Sequence, residues 1–207
     1  MQKVIITISR EFGSGGRLVG QKLADELGIA YYDRKLIELV AKESGLAPEF
    51  IERSGEQSAS SLLFSLATTA HTPGGYFMQY ETPVESKAFF AQTSVIKELA
   101  EKESCVIVGR CAGYILRDNP SCINVFVHGN LDDRVKRATE LYGQNPEGLA
   151  DKLIKTDKGR ANYHRYHTGE SWTDVRAYHL TVNTAVSGID GAVNTLQAYI
   201  ENRLNKA

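Results

Sequence analysis

Short apolar segments alternate with longer segments of helical periodicity along this chain. Five of the apolar segments have the length and composition of buried strands, at residues 4–8, 29–32, 105–109, 122–127 and 179–183. Between them apolar residues recur at helical spacing, as Val95, Ile96 and Leu99 do. Apolar strands that alternate with helices predict an α/β fold, in which a five-stranded parallel sheet is covered on both faces in a three-layer α/β/α arrangement.

A glycine-rich loop joins the first predicted strand to the first predicted helix. Residues 9–16 read Ser-Arg-Glu-Phe-Gly-Ser-Gly-Gly, and the helical pattern then runs from Arg17 to Leu27, where Gly28 ends it. Glycines allow consecutive backbone N–H groups to converge, and a helix N-terminus adds partial positive charge. The loop is therefore predicted to bind phosphate. A standard P-loop ends Gly-Lys-Ser/Thr, but here Gly16 and Arg17 replace the lysine and the hydroxyl residue.

Charged residues follow two other predicted strands. Asp33 comes directly after the second strand, and Arg110 follows the third. Ligands of parallel sheets bind beyond the carboxyl ends of the strands, so both residues are predicted to face a ligand. Asp33 could also cap the next helix. Arg10, within the glycine-rich loop, either contacts phosphate or pairs with Glu11.

Composition and charge limit the classes of partner. The 207 residues fit one domain, and a net charge of −1 gives no bulk attraction to nucleic acid or to an anionic membrane. No apolar run approaches the roughly 20 residues of a membrane span. Three cysteines without metal-ligand spacing indicate reduced thiols, and hence a cytoplasmic protein. The sequence carries no signal for an oligomeric state.

One segment is locally basic. Residues 134–165 contain eight Lys or Arg against four Asp or Glu, which in a chain of net charge −1 indicates an anionic ligand. His164 and His167 lie three residues apart in this segment. Because no further ligands stand at a zinc-like spacing, they are expected at the surface or in a mobile lid.

In the order and spacing of its motifs the chain resembles the cytidylate kinases, most closely their divergent cytidylate-kinase-like branch, over nearly its whole length. The matching motifs are Gly-Ser-Gly at 13–15, Tyr-Tyr-Asp at 31–33, Val-Ile-Val-Gly-Arg at 106–110, Asp-Arg-Val-Lys-Arg at 133–137 and Asp-Lys-Gly-Arg at 157–160. The resemblance implies a P-loop kinase fold with a helical lid. It implies transfer of the γ-phosphoryl group of ATP to CMP or dCMP with Mg²⁺, so that small-molecule nucleotides are the expected partners.

The resemblance also implies a role for each matching residue. Catalytic roles fall to Arg17, Arg137, Asp157 and Arg160. Contacts to ATP fall to Arg10, Gly13, Ser14, Gly15, Gly16, Arg17, Leu18 and Arg134. Contacts to the acceptor fall to Asp33, Arg110 and Arg160. The chain divides into a core at about 1–53, 84–133 and 177–207, an acceptor-side insert at about 54–83, and a lid at about 143–176.

Three departures from the family pattern bear on activity. Gly16 stands at the P-loop lysine, Leu18 at a threonine, and Val108 at a strand acid that would anchor magnesium, so no metal ligand is identified. Either Arg17 or Arg10 could take the part of the lysine. Three functions therefore stay open: a (d)CMP kinase with a degenerate P-loop, a nucleotide-binding regulatory protein with weak or no catalysis, and a small-molecule kinase with a different acceptor.

Overall fold

The computed structural model describes residues 3–54 and 84–205, and the predicted insert at 54–83 lies almost wholly outside this part of the chain. The elements follow one another along the chain as β1 (Ile5–Arg10), α1 (Gly16–Leu27), β2 (Ala30–Tyr32), α2 (Arg34–Ser44), α3 (Pro48–Ser54), α4 (Val84–Lys102), β3 (Cys105–Val108), α5 (Ala112–Ile115), β4 (Cys122–His128), α6 (Leu131–Tyr142), α7 (Leu149–Thr168), a 3₁₀ turn (Val175–Ala177), β5 (Leu180–Asn183) and α8 (Thr184–Leu204).

All five strands form one parallel sheet in the order β2-β3-β1-β4-β5, which confirms the predicted fold class. In the central strand β1, Ile5 is paired with Cys105 on one side and with Cys122 on the other. The strands are parallel, so their carboxyl ends meet at one edge of the sheet. The glycine-rich loop leaves the sheet at this edge, from the end of β1.

Alternate residues of the strands pack into two separate apolar layers. Ile6 and Ile8 of β1 contact the layer that contains Val19 and Leu23 of α1 and Leu196 of α8. On the opposite face, the same sheet packs against α2, α3, α4 and α5, through buried residues that include Ile5, Leu36, Ile51, Ile96, Ile107 and Ala112. Burial on both faces explains why apolar residues predominate in the strands, most completely in β3, which has no polar residue.

The predicted strand bounds are right to within two residues, and the differences have local causes. The third strand ends at Val108, before Gly109, because Gly109 has a φ of 78° and leaves the extended conformation. The first strand continues to Arg10, where pairing with β4 extends to Val127. Helix α1 ends at Gly28, as predicted, with a left-handed backbone. Among the described residues, none of the helices is long and apolar enough to cross a membrane.

Candidate functional site

Side chains of α6 and α8 donate hydrogen bonds to the backbone of the glycine-rich loop. Gly13 and Gly15 have φ values of 76° and 81°, which favour glycine, and Gly15 precedes the first turn of α1. The Gly13 carbonyl oxygen accepts a hydrogen bond from Arg137 at 2.9 Å, and the Ser14 carbonyl oxygen accepts one from the Thr184 hydroxyl at 2.6 Å. These two hydrogen bonds attach the loop to α6 and α8. The N–H groups of the first turn of α1 have no acceptor within the helix, so they are available to a ligand.

A buried ion pair fixes the other side of the loop. Asp157 of α7 accepts a hydrogen bond from the Phe12 N–H at 2.7 Å and pairs with Arg134 of α6. Arg134 also donates to the Phe12 carbonyl oxygen at 3.3 Å and lies 3.5 Å from a Glu11 carboxylate oxygen. Its side chain is only 7% exposed. The loop is therefore positioned by three side chains that do not line the cleft beside it, those of Arg134, Arg137 and Asp157.

Four arginines from different elements line one cleft beside the loop. They are Arg10 at the end of β1, Arg17 in the first turn of α1, Arg110 after β3 and Arg160 of α7, and the cleft opens to solvent. The acidic residues in its lining, among the described residues, are Asp33 and Glu52. The cleft therefore carries an excess of positive charge at the carboxyl edge of the sheet, where a parallel sheet binds its ligand.

Asp33 is the main counter-ion of this cluster. One carboxylate oxygen lies 2.7 Å from Nε of Arg17 and the other lies 3.9 Å from a guanidinium nitrogen of Arg10. Asp33 makes no capping hydrogen bond to α2, so the capping role considered above is not observed. Arg10 does not pair with Glu11 either, because Glu11 faces Arg134 and the Gly129 N–H.

Burial and neighbouring positive charges disfavour the charged form of Arg10. Burial, followed by the proximity of Arg160, lowers the pKa of Arg10 to about 9, and Asp33 opposes this shift. A guanidinium that is buried among others of the same charge is stabilised when an anion enters. An anion such as a phosphoryl group supplies that charge.

Arg110 reaches the cleft from a strained backbone. Arg110 and Cys111 have φ values of 58° and 55°, and they follow Gly109 at 78°. The Arg110 guanidinium donates to the Ile51 carbonyl oxygen at 2.5 Å, and its own carbonyl oxygen accepts from Gln92 at 2.8 Å. Left-handed conformation at two non-glycine residues is costly and is concentrated at functional sites.

One face of α7 supplies the far wall of the cleft. Arg160, Tyr163 and His164 all line it, at the spacing that places residues on one side of a helix. The Tyr163 hydroxyl donates to Gln92 at 3.2 Å, and burial raises the pKa of Tyr163 to about 12. His164 lies in α7, within the predicted lid, but its side chain is buried rather than at the surface, and among the described residues its Nε2 atom has no hydrogen-bond partner.

A second cavity adjoins the first below α7. Ser9, Cys111 and His164 line both cavities, and the second has about 170 Å³ of accessible space. Its remaining lining mixes Tyr, Asn and Gly residues with Arg117 and Glu170. Burial raises the pKa of Cys111 to about 12, so its thiol is protonated at neutral pH.

The described side chains of the cleft are better suited to binding phosphate groups than to binding a metal ion. Guanidinium groups and the start of α1 are suited to phosphoryl oxygens. In contrast, the described residues contain no group of three His, Cys, Asp or Glu side chains that could hold a metal ion. Asp33 is already engaged by Arg17.

Five predicted site residues come together in the cleft, and the others lie in or behind the loop. The cleft contains Arg10, Arg17, Asp33, Arg110 and Arg160, while Gly13, Ser14, Gly15, Gly16 and Leu18 form the loop and the start of α1. The sequence interpretation missed Gln92, Tyr163 and Thr184. Tyr163 stands three residues after Arg160, and Thr184 directly follows β5, so helical spacing and the strand-end rule could have identified both.

A family model described as the cytidylate kinase-like family matches residues 5–186, which span every strand and the whole site. The chain belongs to the cytidylate kinase-like family. This confirms the resemblance drawn from the motifs, and it identifies the glycine-rich loop, the arginine-lined cleft and α7 as parts of a kinase-like fold.

Solved structures of other proteins share the fold of this chain. An uncharacterized protein from Eubacterium ventriosum is 31% identical with a TM-score of 0.72, and the match covers 96% of this chain and 99% of that one. Shikimate kinases from Bacteroides thetaiotaomicron and Acinetobacter baumannii, the latter in complex with shikimate, are each 18% identical, with TM-scores of 0.54 and 0.52. These matches cover 96% and 98% of this chain, and 98% and 96% of those chains. At this identity they show the fold alone. No curated protein matches the chain.

Proposed function

We propose that this protein is an ATP-dependent kinase that transfers a phosphoryl group to a small molecule in the arginine-lined cleft. The observation that carries the proposal is the convergence of Arg10, Arg17, Arg110 and Arg160 on the end of the glycine-rich loop. Phosphoryl transfer depends on positioning and on neutralising negative charge rather than on a covalent intermediate. Four guanidinium groups beside a helix N-terminus supply both requirements.

In this proposal each side of the cleft has a separate task. The loop and the start of α1, with Arg10 and Arg17, bind the phosphates of ATP. Arg110 and Asp33, which follow β3 and β2, bind the acceptor. Arg160 lies between them on α7, where it donates to the Arg10 carbonyl oxygen at 3.2 Å. Closure of α7, the predicted lid, over the bound substrates would exclude water and so limit hydrolysis of ATP.

CMP and dCMP are the first acceptors to test, because the family is cytidylate kinase-like. A different small acceptor is the second candidate, and a specific observation favours it. The cavity that adjoins the cleft through Ser9, Cys111 and His164 is lined with polar groups and has room for the remainder of such a molecule. Solved relatives of the same fold include shikimate kinases and a sugar kinase from a Janibacter species.

The experiment is a direct search for phosphorylated product. Purified protein is incubated with ATP and magnesium and, in separate reactions, with CMP, dCMP, UMP, AMP, GMP, shikimate and a set of sugars. Chromatography reads both ADP and the phosphorylated acceptor. The proposal predicts one acceptor for which product and ADP form in equal amounts.

Arg160→Ala is the test variant, and Arg176→Ala is the matched control because its side chain is 86% exposed and pairs only with nearby Asp174 in the described structure. We expect Arg160→Ala to abolish product while Arg176→Ala leaves it unchanged. ATP binding without product for any acceptor would contradict the kinase proposal and would favour a nucleotide-binding regulatory protein.

A further inference from the structure

Compared with the P-loop motif, this chain has a glycine and a cationic residue exchanged between two positions of the loop. The motif reads Gly-x-x-x-x-Gly-Lys-Ser/Thr. When Gly15 is taken as its second glycine, Arg10 stands at the first glycine and Gly16 at the lysine. This chain thus has a cationic side chain, Arg10, where the motif has a glycine, and a glycine, Gly16, where the motif has the lysine.

The two exchanged positions are in contact. A Cβ atom built on Gly16 would lie 2.5 Å from Cβ and 3.0 Å from Cγ of Arg10. Gly16 lies in the first turn of α1 and does not have a positive φ, so its backbone does not require glycine. Position 16 requires glycine because the Arg10 side chain occupies the space that a Cβ atom would fill.

A second glycine makes room for the guanidinium itself. A Cβ atom on Gly109 would overlap Nη1 of Arg10. The side chain therefore extends from the start of α1 towards the end of β3. Its exposed fraction is only 15%, and its ion-pair partner, Asp33, lies at 3.9 Å and is shared with Arg17. A buried guanidinium with so distant a counter-ion has donors to offer to an anion.

We infer that Arg10 has taken over the part of the missing P-loop lysine and contacts the phosphoryl groups bound at the N-terminus of α1, an inference that rests on the phosphate-binding function proposed above. Arg17 is less suited to this part, because its side chain is 41% exposed and its Nε lies 2.7 Å from Asp33. The guanidinium of Arg10 approaches from the strand rather than from the helix, and it grips two oxygens where a lysine contacts one.

Reversal of the exchange tests this inference. Binding of inorganic pyrophosphate, and separately of ATP, is measured by isothermal titration calorimetry in wild type, Arg10→Met, Arg10→Lys, Arg10→Gly, Gly16→Lys and the double variant Arg10→Gly/Gly16→Lys. Arg176→Met is the control at an exposed arginine. We expect Arg10→Met and Arg10→Gly to weaken binding at least about tenfold, since a hydrogen bond to a charged group contributes on that order. Arg10→Lys should regain part of the affinity.

The double variant gives the sharpest result. A lysine at position 16 clashes with Arg10 when introduced alone. Once Arg10 is glycine, the nearest remaining contact of the added Cβ atom is Cβ of Val127 at 3.3 Å, so we expect the lysine to be accommodated. We therefore expect the double variant to bind pyrophosphate at least about tenfold more tightly than Arg10→Gly, which is the gain of one charged hydrogen bond. Binding within twofold of wild type in Arg10→Met would overturn the inference, as would a folded double variant no better than Arg10→Gly.

The same titrations separate this inference from the proposed function. Pyrophosphate and ATP are bound without any acceptor, so an unidentified acceptor does not affect the readout. Wild-type protein that binds neither would refute phosphate binding in the cleft altogether. Wild-type protein that binds both, with Arg10→Met unchanged and Arg17→Met impaired, would refute only the assignment to Arg10. Thermal unfolding of each variant verifies that it is folded.

Discussion

Asp33 balances the arginine cluster while the cleft is without an anion. Its carboxylate lies 2.7 Å from Arg17 and 3.9 Å from Arg10, and the side chain is 12% exposed. A carboxylate in that position stabilises the fold, and it also competes with any incoming phosphate for the same guanidinium groups. The Asp33 carboxylate thus raises the stability of the fold and lowers the affinity of the cleft for anions.

Asp33→Asn separates these two effects. We expect the variant to unfold at a lower temperature than wild type and to bind pyrophosphate more tightly, because the arginines lose a competing negative charge. Differential scanning fluorimetry and titration calorimetry measure the two quantities. Asp118→Asn, at a side chain that is 90% exposed, should change neither. Weaker pyrophosphate binding in Asp33→Asn would contradict a counter-ion role.

Arg110 combines a side chain of the cleft with a backbone that favours glycine. We expect Arg110→Gly and Arg110→Ala to lose ligand affinity equally, since both remove the guanidinium. Their stabilities should differ, because glycine relieves the left-handed strain that alanine retains, a difference of about 1 kcal/mol. Urea denaturation measures it. If Arg110→Ala were as stable as Arg110→Gly, the backbone at residue 110 would not be strained.

The loop and α7 are coupled through Asp157. Asp157 receives the Phe12 N–H and pairs with buried Arg134, so we expect Asp157→Asn to lower the free energy of unfolding by about 3 kcal/mol, the range for breaking a buried ion pair. Urea denaturation checks this value, with Asp118→Asn, 90% exposed, as the control. A variant of unchanged stability that loses only turnover would instead show direct participation in catalysis.

We expect the C-terminal half of α7 to be sensitive to acid. The His167 ring stacks on Phe89 with centroids 4.0 Å apart, and burial lowers its pKa to about 4. The unfolded chain therefore binds a proton near pH 6.5 that the folded chain does not bind until about pH 4, so stability falls as the pH decreases through this interval. Burial lowers the pKa of His164 as well.

His167→Phe tests this dependence. The variant keeps the aromatic contact and removes the titrating group, so we expect a smaller drop in unfolding temperature between pH 7 and pH 5 than in wild type. Tyr166→Phe, beside the same ring, should retain the wild-type drop. An unchanged drop in His167→Phe would show that the acid sensitivity arises elsewhere.

Across the molecule, the sheet follows from local patterns, whereas the cleft depends on contacts between distant residues. Apolar strands, helical spacing and the Gly28 stop signal are visible in the sequence, and the structure has all five strands within two residues of the predicted bounds. The strand-end rule also placed Asp33 and Arg110 at the carboxyl edge. Sequence could not show that Asp33 pairs with Arg17, or that Asp157 binds the loop from 145 residues away.

The central claim is that phosphoryl groups bind in the arginine-lined cleft at the start of α1. A crystal structure of the full chain with magnesium and a non-hydrolysable ATP analogue tests it most directly. We expect the terminal phosphate within about 3 Å of the Arg10 and Arg160 guanidinium groups, with the preceding phosphates at the N–H groups of Gly16 and Arg17. A triphosphate bound elsewhere on the protein, without contact to these arginines, would contradict it.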